Sequence, residues 1–210
     1  MSIAETNAEP AEATTGVAGN RRLTNGTAAL LFVLLAVEGV TILALDSMLP
    51  VHIFVGVLLV PPVLLKLAST GYRLLRYYRG SPPYVRRGPP ALFLRLLGPL
   101  VVVSTGAVLA TGIALLAVGP GDGMVATLHK ASFIVFFGAT GLHVLAHVRG
   151  VPAEAAADWR RSTRTPGAGS RRAVLVASLV VGVAIGALAI AYDGAWVHGG
   201  DDDRAVVVSH

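Results

Sequence analysis

The stretch Val125–Val148, VATLHKASFIVFFGATGLHVLAHV, decides how this chain is read. It is 24 residues of mostly aliphatic and aromatic side chains, interrupted by one lysine and three histidines. About 20 apolar residues are needed for a helix to cross the hydrocarbon core of a bilayer, so the stretch predicts a transmembrane helix. His129 and His143 stand fourteen residues apart within it. At about 100° and 1.5 Å per residue, that spacing sets them on nearly one helical face, roughly 21 Å apart along the axis. A titratable ring in lipid is costly and as a rule has a partner or a task.

Four further apolar stretches flank this one, so five spans are expected: Thr27–Leu45, Val51–Thr70, Leu97–Val118, Val125–Val148 and Ala173–Tyr192. Backbone groups left unsatisfied in lipid cost several kcal/mol each, which favours helices, and no alternating barrel pattern is present. Composition agrees: over 210 residues the mean hydropathy is +0.68 and only 14% of residues are charged. The expected fold class is an all-α polytopic membrane protein. With no cysteine, disulfides, thiolate metal sites, iron–sulfur clusters and covalent haem attachment are excluded.

Arginine placement predicts orientation. The connection after the second span carries Arg73, Arg76, Arg79, Arg86, Arg87 and Arg95; the one after the fourth carries Arg149, Arg160, Arg161, Arg164, Arg171 and Arg172. The opposite side has short acidic turns, Asp46–Pro50 and Gly119–Gly123, and a terminal segment with Asp201, Asp202 and Asp203. Positive charge marks the cytoplasmic side, so the N-terminus is placed in the cytoplasm, the C-terminus outside, and the protein in a cytoplasmic membrane. The net charge of +5 is accounted for by these juxtamembrane arginines, and nucleic acid is not expected as a partner. Residues Met1–Asn20 lack the basic and apolar regions of a signal peptide. The expected organisation is a disordered cytoplasmic tail over 1–26, a four-helix bundle over 27–148, a cytoplasmic connection over 149–172, a fifth helix over 173–192 and an outer tail over 193–210.

Short outer turns and one longer inner connection give the first four spans an up-down-up-down order, which builds cofactor sites between facing helices. The fifth carries Gly182-x-x-x-Gly186, a spacing that permits close helix approach, and reads as a packing or dimerisation helix or as a plain anchor.

Both the second and the fourth span enter from the outer side, which sets His52 and His129 at matching depth. Two imidazoles on different helices can clamp one haem iron. Gly56, one turn after His52, would leave room for a porphyrin ring. The inner site is less regular. His143 lies toward the cytoplasmic end, with His147 one turn further. Fourteen residues after His52, where a second histidine would complete a pair, stands Lys66. Three readings stand for it: an iron ligand opposite His143, a partner of a haem propionate, or a side chain reaching the cytoplasmic surface with no inner haem. His143-x-x-x-His147 has metal-ligand spacing but too few further ligands for zinc or copper. Glu38, in the middle of the first span, is a candidate for proton transfer, quinol contact or a hydrogen bond to a ligand histidine; a protonated carboxyl bonded between helices is the plain alternative. Pro61-Pro62 predicts a kink halfway along the second span.

From His52 to His147 the chain resembles the small four-helix b-type membrane cytochromes, among them membrane subunits of hydrogenases and formate dehydrogenases and the ferric-reductase-like group. The matching elements are the histidine near the start of span two, the fourteen-residue pair on span four and the basic inner connection. The block Leu65–Tyr72, with Arg76-Tyr77-Tyr78 and Gly88-Pro89-Pro90, looks like an uncharacterised group of actinobacterial membrane proteins. The resemblance implies haem b, one or two per chain, and electron transfer between a membrane or outer donor and an acceptor. Lys66 departs from the paired-histidine pattern. No nucleotide- or flavin-binding motif is present, so a redox partner subunit or quinone is expected, and a homo-oligomer is open. The competing reading is a non-redox module, such as an assembly factor, a complex anchor or a transporter component, with structural or proton-carrying histidines.

Overall fold

The computed structural model describes residues 3–86, 92–119, 123–147 and 167–207, and side chains over 16–86, 92–119, 123–146 and 167–192. Its helices are α1 (Ile3–Leu43), α2 (Leu45–Leu58), α3 (Val60–Tyr78), α4 (Pro82–Val85), α5 (Leu92–Val118), α6 (Gly123–His147) and α7 (Ala168–Val207). No strand occurs among the described residues. Among the described residues five stretches are long and apolar enough to cross a membrane: Gly16–Leu43, Leu45–Tyr78, Leu92–Val118, Gly123–Ala146 and Ala168–Tyr192. The protein is an all-α, multi-pass membrane protein.

Exposed side chains fit that setting. Phe32, Val33 and Val40 on α1, Leu96 and Val103 on α5, Ile134 and Phe137 on α6, and Val180 and Leu188 on α7 are all more than half exposed. Such a surface is compatible with hydrocarbon rather than water around the bundle.

In lipid the apolar effect does not drive one helix onto another, so packing and interhelical hydrogen bonds must do so. At the arginine-rich end α1 and α3 are joined this way. Asn20 donates through Nδ2 to the carbonyl of Ser69 at 3.0 Å, and Lys66 donates through Nζ to the carbonyl of Thr24 at 3.0 Å. Thr24 and Ser69 return their own hydroxyl protons to the carbonyls of Asn20 and Lys66. Val17 and Thr27 are buried. The expected disordered tail therefore ends earlier than residue 26: residues 17–27 belong to a packed helix, joined to α3 through the Asn20 amide and the Thr24 carbonyl.

The chain reverses at Ala44, which leaves helical geometry (φ −136°, ψ 44°). Ser47 and Met48 donate backbone N–H to its carbonyl. The turn expected over Asp46–Pro50 is thus the first part of α2, and the reversal takes a single residue. Halfway along the second span Pro61 and Pro62 supply no N–H, and the helix is interrupted at Leu59 between α2 and α3. Helical bonding resumes at once, with the Val63 N–H on the Leu59 carbonyl at 3.0 Å. Beyond α3, α4 brings Tyr84 back beneath Tyr72, ring centres 6.2 Å apart, with the Arg76 guanidinium 5.9 Å from the Tyr84 ring.

The fifth span is not peripheral. α7 lies in the groove formed by α1, α2 and α3. A Cβ on Gly26 would meet Leu175 at 3.2 Å; one on Gly182 would meet the Leu58 carbonyl oxygen at 2.6 Å; one on Gly186 would meet Phe54 at 3.0 Å. Gly182-x-x-x-Gly186 therefore serves packing within the chain, and its face is covered by α2 rather than left for a second copy. α5 and α6 form a hairpin that packs mainly on itself and meets the other helices chiefly where α5 touches α2.

Candidate functional site

One group of polar side chains lies where the α1–α2 pair faces the α5–α6 hairpin. His52 is in the second turn of α2, and the reversal at Ala44 carries it back beside α1. Its Nδ1 lies 3.0 Å from Oε1 of Glu38 and 2.9 Å from Oγ1 of Thr41. Thr41 is fully buried, and its hydroxyl donates to the Glu38 backbone carbonyl at 2.6 Å. With that proton committed, the Thr41 oxygen can only accept from His52, so the hydrogen-bond network assigns the His52 proton to Nδ1.

His129, near the start of α6, is held in the same sense. Its Nδ1 lies 3.1 Å from the Val108 carbonyl of α5 and 3.1 Å from Oγ1 of Thr111. A carbonyl only accepts, so this Nδ1 also carries the proton. Thr111 donates back to α5 carbonyls and sits 3.3 Å from Oγ of Ser132, which donates to the His129 carbonyl. The ring rests against Gly112, where a Cβ would come within 3.2 Å of Cε1. The missing side chain is what lets the Nδ1–Cε1 edge of the imidazole come this close to α5.

The two ring centres are 6.4 Å apart, with planes at 82°. Every hydrogen bond of either ring is made by Nδ1. Each Nε2 thus keeps its lone pair. That is the state of an imidazole able to bind a metal, with its other nitrogen bonded to a carboxyl or carbonyl oxygen. No group of three or more His, Cys, Asp or Glu that could hold a metal ion occurs among the described residues. Two imidazoles suit a metal whose remaining ligands come from a cofactor, as iron in a porphyrin.

The other sequence candidates fall elsewhere. Gly56 does face the site, yet the space it leaves is taken by Glu38: a Cβ there would lie 3.3 Å from Oε1. The room expected for a porphyrin edge at Gly56 is room for a carboxyl. Lys66 turns to α1, where its Nζ donates to the Thr24 carbonyl. The distance along α6 keeps His143 from the His52–His129 pair, about 21 Å away for fourteen residues. The side chain of His147 lies outside the described residues.

Glu38 appeared in the sequence as an isolated carboxylate with three uses; the fold gives it a histidine. Thr41, Thr111 and Gly112 were not singled out. The available signal was weak: hydroxyls and glycines abound in membrane helices, and only helix pairing tells which of them meet an imidazole. No family model, curated protein or solved structure matches the chain.

Proposed function

We propose that the protein is a membrane cytochrome of b type, in which His52 and His129 would bind the iron of one haem. The observation that carries the reading is the pair of imidazoles from separate spans with centres 6.4 Å apart, both bonded through Nδ1 only. Two imidazoles sharing one metal through bonds of about 2 Å hold their centres roughly 6 Å apart. Perpendicular ring planes are compatible with this, since rotation about a metal–nitrogen bond leaves the bond intact. Haem, when bound, supplies one-electron redox chemistry, and the protein supplies ligation, burial and field.

The chain's own residues then divide the work. Glu38 and Thr41 hold the His52 proton on Nδ1, Val108 and Thr111 hold that of His129, and Gly112 gives the second ring its seat. The α5–α6 hairpin meets the remaining helices chiefly where α5 touches α2, and a planar group would enter at that junction. One haem per chain is favoured, since Lys66 is committed to α1. The arginine-rich end is taken as cytoplasmic, which sets the His52–His129 pair near the outer face of a cytoplasmic membrane. Electrons would enter or leave through a partner subunit or a quinone.

A reduced-minus-oxidised spectrum of the purified protein tests this. A b-type α-band at one haem per chain, abolished in His52→Ala and in His129→Ala, is expected. A colourless, folded protein that takes up no added haem would leave a non-redox module whose histidines bond helices together, a reading favoured by the fact that His129 is already held within the α5–α6 hairpin.

A further inference from the structure

α1 carries no histidine, yet two of its side chains end on the His52 ring. Three features converge there. Thr41 is fully buried and has given its own proton to the Glu38 carbonyl, which leaves it an acceptor only. The Glu38 side chain is 14% exposed, and its second oxygen, Oε2, is buried with no hydrogen-bond partner. The contact with His52 is therefore the polar compensation this carboxyl has for sitting among apolar helices, where an uncompensated one is expensive. Gly56 has no side chain at the point where one would press on Oε1. A simple link between α1 and α2 needs one hydrogen bond; here two acceptors converge on a single nitrogen, in space cleared by a glycine.

We infer that Glu38 and Thr41 are positioning residues for His52: they fix its tautomer and turn its Nε2 away from α1, into the gap across which His129 stands. The two nitrogens of an imidazole point to nearly opposite sides of the ring, so holding Nδ1 against α1 aims Nε2. Donation from Nδ1 to an oxygen also makes Nε2 the more basic ligand. The effect on iron rests on the cytochrome reading; the tautomer does not.

The experiment separates the two. In 15N-histidine spectra of the full-length, haem-free protein in lipid, His52 is expected as the Nδ1–H tautomer. An Nε2–H tautomer there would overturn the inference whatever the protein binds, and it depends on no variant folding. In haem-loaded protein, the double variant Glu38→Leu/Thr41→Val is expected to hold haem roughly 10–100-fold more weakly, with a raised midpoint potential. Glu38→Gln, whose amide oxygen accepts the same bond, is expected to retain haem and to stay near the wild-type potential. A double variant with unchanged occupancy and potential, or a glutamine variant as damaged as the double variant, would refute the positioning role. A wild-type protein that binds no haem removes the cytochrome reading and leaves the tautomer measurement to decide this one.

Discussion

Gly182 sits so close to Leu58 that a methyl group on it would lie 2.6 Å from the Leu58 carbonyl oxygen. That carbonyl is the one Pro62 leaves without its helical donor, because residue 62 of a regular helix would supply the N–H. The proline break and the glycine pair thus belong to one contact: the interruption of the second span opens backbone, and the fifth span covers it at glycine distance. Weak Cα–H donation to a carbonyl recurs at such helix crossings.

Gly182→Ala should therefore push α7 off α2. Overpacking of a tight interior costs about 1–3 kcal/mol, and Gly182→Leu should cost more. Gly138→Ala, on α6 where nothing lies within 4 Å of an added Cβ, should be neutral or mildly stabilising. Unfolding of purified protein in mixed detergent compares them. Equal stability of Gly182→Ala, Gly182→Leu and wild type would mean that α7 does not seat on α2 as described.

Gly112→Ala should act on the site rather than the fold. The added Cβ would stand 3.2 Å from Cε1 of His129, tighter than ordinary contact, and the ring must tilt. The α-band should shift or weaken while thermal stability changes by less than about 1 kcal/mol. Gly106→Ala, on the same helix with open space, is the matched control. A spectrum identical to wild type in Gly112→Ala would argue that His129 is not an iron ligand.

Lys66→Met should leave the haem spectrum untouched, since Nζ is on the Thr24 carbonyl and not near the histidine pair. Its effect on stability should be small, because replacing a buried cation by an apolar chain of similar length is often neutral. Asn20→Ala, which removes the bond to Ser69, should cost about 1 kcal/mol. Loss of haem in Lys66→Met would restore the lysine to the cofactor site.

His143→Ala should retain one haem per chain and the α-band. His143 is about four turns of α6 away from His129, with Lys66 engaged on α1. Haem extraction and pyridine haemochrome counting give the ratio; a drop to half of a two-haem wild-type value would establish an inner centre.

Orientation can be read directly because the chain has no cysteine. Ser47→Cys, exposed beside the Ala44 reversal, should react with a membrane-impermeant thiol reagent in intact cells, whereas Ser81→Cys, at the arginine-rich end, should react only after lysis. The opposite pattern would invert the topology.

The sequence by itself determined that this chain crosses a membrane as helices. Hydropathy and span length are local properties, and lipid admits only structures that satisfy their own backbone. It also determined where the second span breaks, because two prolines remove donors whatever surrounds them. It left Glu38, Lys66 and Gly182-x-x-x-Gly186 with several uses each, and their contacts follow from helix pairing. Glu38 meets His52 only because the chain turns back within one residue at Ala44; Lys66 meets Thr24, and Gly182 meets Leu58, only because α1, α3, α2 and α7 share one groove. Such contacts depend on rotation and approach between helices, which a uniformly apolar sequence hardly encodes, since in lipid any face can be buried or exposed at similar cost.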